Sequence, residues 1–192
     1  GFFALQSDIA LTSMPPSESP FIKTRGRRFA RVAGVETRMA QVIDVTWRVM
    51  PRVQFLGTGN AFSPHGRMHA LVLIDGNILV DAPPTLLPQL RRAGVSSDEI
   101  DHLLFTHWHA DHMFGFPFFI LERKVVSNAE NSLNVYLRPK GKEILSNLSH
   151  VGFPGSLNEV LNDDINWLEE ESGDLQNSEW SYERFQVTHT PE

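Results

Sequence analysis

Five consecutive residues, His102-Leu103-Leu104-Phe105-Thr106, run directly into His107-Trp108-His109-Ala110-Asp111-His112. An apolar run without polar alternation is what a strand covered on both faces requires, and such a strand lies inside a layered sheet. Three imidazoles and a carboxylate then crowd positions 107–112 at its C-terminal end. Clustered imidazoles repel when charged and lose solvation when buried, unless a cation or hydrogen bonds compensate. Metal binding compensates, and neutral imidazole with carboxylate suits zinc or iron. In extended backbone His107 and His109 project to the same side. Asp111 and His112 follow where the chain turns into a helix, so one loop can supply ligands to two ions roughly 3.5–4 Å apart.

The 192 residues contain no cysteine, which excludes a disulfide scaffold, a Cys-based zinc finger, an iron–sulfur site and a thiol nucleophile. Histidine and aspartate are left as the metal ligands. No apolar run approaches the roughly 18 residues that span a bilayer, so no membrane association is expected. No Gly-x-Ser-x-Gly elbow and no Gly-rich phosphate loop ending in Lys-Ser/Thr is present.

The pattern around the cluster alternates strands and helices. Strands are predicted at 52–56, 69–74 and 77–81, with a tight hairpin turn at Asp75-Gly76 or Gly76-Asn77. Leu86, Leu87, Leu90 and Ala93 have helical spacing, and Gly94 is a good helix stop. Further helices are expected at 116–124, with Pro117 in the first turn, and at 140–148, and further strands at 132–137 and 185–188. Residues 158–183 hold nine acids and no base, and Glu169-Glu170-Glu171 within them reads as a solvated face or loop. The early hairpin implies a mixed sheet with helices outside.

Residues 1–49 look different. Pro15, Pro16, Pro20 and several serines break any periodicity, and Lys23 to Arg31 form a basic run. Residues 1–52 carry eight bases and four acids, while the rest carries nine and nineteen, so the net charge of -6 averages two unlike segments. The expected organisation is a basic, poorly ordered extension at 1–49, and a domain over 50–192 that stops before its natural end.

The motif His107-x-His109-x-Asp111-His112 resembles that of the metallo-β-lactamase fold hydrolases. Phe55-Leu56-Gly57-Thr58-Gly59 resembles the opening strand and glycine turn of their ribonuclease Z-like branch. Leu79-Val80-Asp81, Asp111 to Pro117, and Leu133 to Tyr136 with Pro139-Lys140-Gly141 are similar to further motifs of that branch. The resemblance covers residues 52–192 and implies an α/β chain, the N-terminal part of an αβ/βα sandwich with a mixed sheet, truncated after the third ligand motif. It implies two divalent metal ions, zinc first, with manganese or iron as alternatives. His107, His109 and the strand-end His189 would hold one ion, and Asp111 and His112 the other. Asp111 would also orient or deprotonate the attacking water. Asp81 and Thr106 would support the ligand loop.

The implied activity is phosphodiester hydrolysis by a metal-bound hydroxide, with RNA or a small phosphodiester as substrate, in a cytoplasmic protein for which a homodimer is an option. The alternative is hydrolysis of a carboxylic ester, lactone or thioester; a third reading is a non-catalytic binding domain. Two departures count against tRNA processing itself: Asp81-Ala82-Pro83-Pro84-Thr85-Leu86 replaces the usual Asp-x-Gly-Glu-Gly-Thr-Gln, and Arg67-Met68 replaces Arg-Asn. These 192 residues alone are expected to turn over little substrate, because the second ion keeps only Asp111 and His112. His65 and His69 could face the cleft but are read as surface or structural, and His102 and His150 as without a role. Trp108 is expected beneath the ligand loop or at the cleft rim.

Overall fold

A computed structural model describes residues 2–4, 9–13, 51–127 and 129–185. Residues 15–50 lie outside the described residues, the basic run at 23–31 included. The chain begins with β1 (Phe2–Ala4) and β2 (Ile9–Ser13), then β3 (Val53–Gly57), β4 (Leu71–Ile74), β5 (Ile78–Val80) and α1 (Leu86–Ala93). It continues through β6 (His102–Leu104), α2 (Ala110–Met113), α3 (Phe116–Glu122), β7 (Leu133–Tyr136), α4 (Gly141–Gly152) and α5 (Asn158–Asp163). Strands β8 (Ile165–Leu168), β9 (Ser172–Asp174) and β10 (Trp180–Arg184) close the described part.

Two sheets form. The first has six strands in the order β3-β4-β5-β6-β7-β8, antiparallel up to β5 and parallel from β5 to β8. The second has the order β1-β2-β10-β9, all antiparallel. Segments 2–4 and 9–13, within the stretch read as an extension, thus supply two of its strands.

The six-stranded sheet is covered on both faces, as the apolar run at 102–106 requires. Side chains alternate across it with period two. Leu71, Leu73, Leu79, Leu103, Leu133 and Val135 join the helical side, with Leu86, Leu90, Phe116, Phe119 and Leu145. Val72, Ile74, Ile78, Val80, Leu104 and Tyr136 face Leu175, Trp180 and Tyr182 of the second-sheet segment. Each fully buried Leu or Phe in these layers contributes about 1.5–3 kcal/mol. The result is a helix layer, a mixed sheet and a second sheet.

The expected hairpin forms: three residues link the paired Ile74 and Ile78, Asn77 N donates to Ile74 O at 3.2 Å, and Asp75 (φ 49°) and Gly76 (φ 85°) at the centre of that turn are both left-handed. Helix α1 matches its predicted range, and Gly94 at φ 70° bonds its amide back to Leu90 and Arg91. Two expectations need correction. β4 starts at Leu71, because His69 pairs only in an isolated bridge with Gly59. Helix α4 starts at Gly141, since Lys140 is left-handed at φ 71°, and runs on to Gly152. Glu169, Glu170 and Glu171 form an exposed loop between β8 and β9, as expected, and the acidic stretch 158–183 around them forms α5, β8, β9 and most of β10. Its acids take exposed positions, while Val160, Leu161, Ile165, Leu175, Trp180 and Tyr182 are buried. The predicted strand 185–188 falls mostly outside the described residues.

Candidate functional site

The site lies at the C-terminal ends of β5 and β6, adjacent parallel strands of the first sheet. Open α/β sheets place ligands at this edge because the chain leaves both strands as loops there. Asp81 follows β5 directly. Its φ of 71° is left-handed, an uncommon conformation for a residue with a Cβ. That turn is pinned on both sides: the Asp81 amide donates to Leu104 O at 2.7 Å, and the Ala82 amide to His112 O at 2.7 Å. Gly115 N donates to Ala82 O at 2.8 Å, and a Cβ on Gly115 would lie 2.0 Å from Pro83 O. The helix that carries Asp111 and His112 therefore packs backbone to backbone against the Asp81 turn.

The Asp81 carboxylate is buried and gathers the ligand loop. Oδ1 accepts from Thr106 N at 2.8 Å and from Thr106 Oγ1 at 2.9 Å. Oδ2 lies 2.9 Å from Thr106 Oγ1 and 2.7 Å from His112 Nδ1. Thr106 Oγ1 also lies 2.9 Å from His107 Nδ1. One proton arrangement satisfies all of these. Thr106 has a single hydroxyl proton, which goes to the carboxylate, so His107 Nδ1–H donates to the threonine oxygen. His112 Nδ1–H donates to Asp81. Both rings then present the Nε2 lone pair outward.

Those outward atoms meet ligand-type neighbours. His107 Nε2 lies 3.1 Å from His109 Nδ1, and His112 Nε2 lies 3.5 Å from Asp111 Oδ2. The His107 and His112 rings are 4.1 Å apart between centroids. Burial works against a charge on His112, but the Asp81 hydrogen bond and the charges of Asp81 and Asp111 prevail and hold its pKa above the ordinary value. Two donor pairs thus lie side by side. Among the described residues, no group of three or more His, Asp or Glu could hold a metal ion. His189, the expected further ligand, lies outside the described residues.

Trp108 is half-buried and packs on the core, with its ring 5.6 Å from Phe105. A Cβ on Gly141 would come within 2.8 Å of the Trp108 ring, so the bare backbone at the start of α4 makes room beneath the loop. His69 belongs to a polar network, 3.1 Å from Thr85 Oγ1 and 3.3 Å from Ser63 Oγ, in line with a structural role. His102 is buried 3.1 Å from Tyr136 Oη, away from the cluster, and His150 is exposed. The sequence reading missed Arg184. Its Nη1 donates to Phe105 O at 2.7 Å, across 79 positions, and no local pattern announces such a contact.

A family model described as Anti-Pycsar protein Apyc1 matches residues 51–191. An Anti-Pycsar protein Apyc1 from Paenibacillus sp. (strain J14) is 32% identical over 146 residues, 73% of this chain and 59% of that protein. A ribonuclease Z from Methanococcus maripaludis is 30% identical over 105 residues, 53% of this chain and 34% of that enzyme. In structure, the metallo-β-lactamase fold protein YhfI from Bacillus subtilis aligns with a TM-score of 0.50 at 16% identity, covering 66% of this chain and 50% of that one. The chain spans less than two thirds of the length of each.

Proposed function

This chain belongs to the Anti-Pycsar protein Apyc1 family and has the metallo-β-lactamase fold, and from that premise we propose that it carries the ligand loop of a metal-dependent phosphodiesterase. Relatives named as hydrolases support the general class. The observation that carries the reading is the convergence of His107 Nε2 on His109 Nδ1 and of His112 Nε2 on Asp111 Oδ2, each pair held from behind by Asp81 and Thr106.

The donor set fits divalent cations. Neutral imidazole and carboxylate are zinc ligands, and the two imidazole nitrogens, 3.1 Å apart, would be close enough to share one ion. His107, His109 and His189 would hold one ion, and Asp111 and His112 the other. Bound there, such ions would supply Lewis-acid stabilisation of the oxygens around phosphorus and lower the pKa of water. The protein's own contribution is positional. Asp81 fixes the His112 ring and, through Thr106, the His107 ring, so the Nε2 lone pairs stay turned away from Asp81 and Thr106. In this reading Asp111 would orient a water and take its proton.

The departures at 81–86 and 67–68 favour a small phosphodiester over precursor tRNA. The test is the full-length protein with zinc or manganese restored, assayed on bis(p-nitrophenyl) phosphate beside a lactone and an aryl ester. Turnover of the phosphodiester, abolished by chelator and restored by metal, is expected; turnover of the carbonyl substrates alone would overturn the proposal. A cyclic nucleotide and a precursor tRNA as further substrates separate the two phosphodiester classes.

A further inference from the structure

Arg184 ends β10, in the second sheet, and is 8% exposed. Its guanidinium makes one hydrogen bond, from Nη1 to Phe105 O at 2.7 Å, and stacks 5.6 Å from the Tyr182 ring centroid. Nε and Nη2 are buried with no hydrogen-bond partner among the described residues. Asp81, Glu171 and Arg138 are among the charges that act on it. A buried cation with two unmade donors is costly to keep, and apolar residues in such places are often neutral or stabilising. Packing therefore does not explain an arginine here.

The accepting carbonyl offers an explanation. Phe105 O and Thr106 N belong to the same peptide group. Arg184 holds that group by its carbonyl, and Asp81 Oδ1 holds it by its amide at 2.8 Å. The next residue is His107. A peptide plane gripped at both ends cannot rotate, and rotation here would swing Thr106 Oγ1 off Asp81 and carry the His107 ring with it. The same carboxylate anchors His112, so the grip reaches both donor pairs.

We propose that Arg184 is a positioning residue of the metal site: from the second sheet it locks the Phe105–Thr106 peptide, and so fixes the orientation of the ligand loop. This rests on the metal-site reading above. A role in positioning separates from a role in folding, because loss of the arginine removes one hydrogen bond but also relieves two buried unmade donors.

The experiment compares the full-length wild-type protein with Arg184→Met and Arg184→Lys. Metal-free thermal unfolding is read in chelator, and affinity and visible spectrum are read by cobalt titration. For Arg184→Met the metal-free midpoint should stay within about 3 °C of wild type or rise. Its cobalt affinity should fall by about tenfold or more, with an altered spectrum. Arg184→Lys, which keeps a donor for Phe105 O, should recover most of the affinity. Wild-type affinity and spectrum in Arg184→Met would overturn the proposal, as would joint loss of stability and affinity, including failure to fold, or no rescue by lysine. If the wild-type protein takes up no cobalt, the metal-site reading itself falls, and this inference with it.

Discussion

Replacing Asp81 by Asn removes the charge at the centre of the site while keeping its shape. Asparagine tolerates the left-handed backbone at φ 71°, so the turn after β5 should hold. One amide oxygen can keep the bonds from Thr106 N and Oγ1. The amide NH2 then takes the place of Oδ2, 2.7 Å from His112 Nδ1. Donor meets donor there unless His112 moves its proton to Nε2, and that move consumes the lone pair on the Asp111 side. A hydrogen bond to a charged group contributes about 1.5–3 kcal/mol, which is roughly 10- to 150-fold in an equilibrium constant. Loss of a histidine-orienting partner in metal sites costs about 10- to 100-fold in affinity, the same range. Asp81→Asn should therefore weaken zinc binding by about 10- to 100-fold in competition with a chromophoric chelator. Asp81→Ala should lose about 1–2 kcal/mol more stability than Asn, because alanine disfavours the left-handed conformation. An Asn variant that binds zinc within about twofold of wild type would refute the tautomer argument, and an Ala variant more stable than Asn would refute the backbone argument.

Three further outcomes are expected. Gly115→Ala drives a Cβ to 2.0 Å from Pro83 O, and backbone must move; a loss of about 1–3 kcal/mol in urea unfolding should follow, together with weaker metal binding. Gly141→Ala, at the first residue of a helix where alanine ordinarily helps, should instead destabilise, because its Cβ meets Leu137 Cβ at 2.7 Å and the Trp108 ring at 2.8 Å; a raised midpoint would contradict the packing of Trp108. Burial, opposed by the charge of Asp101, holds His102 below the ordinary histidine value of 6.5. The unfolded chain then binds a proton that the folded chain refuses. Stability should be full above that value and decline as pH falls through it, and His102→Gln should flatten the decline between pH 7.5 and 5.5; an unchanged slope would assign the acid sensitivity elsewhere.

What could be read from the sequence was what is local. The buried strand, the hairpin at Asp75-Gly76, the helix over 86–93 with its glycine stop, and the donor cluster at 107–112 follow from periods of two and 3.6 residues and from ligand chemistry at adjacent positions. The resemblance added Asp81 and Thr106 as supports, and the structure brings both against the loop. The strands at 165–184 stayed hidden, since they are short, acids crowd the segments between and around them, and three-residue β9 is wholly exposed. Tertiary structure alone decided the rest. The Asp81 carboxylate reaches His112 across 31 positions, Arg184 reaches Phe105 across 79, and Trp180 reaches Asp75 across 105. No periodicity encodes such pairs. They exist because both faces of one sheet are buried, and the layer that covers one face brings an arginine to the peptide from which the ligand loop starts.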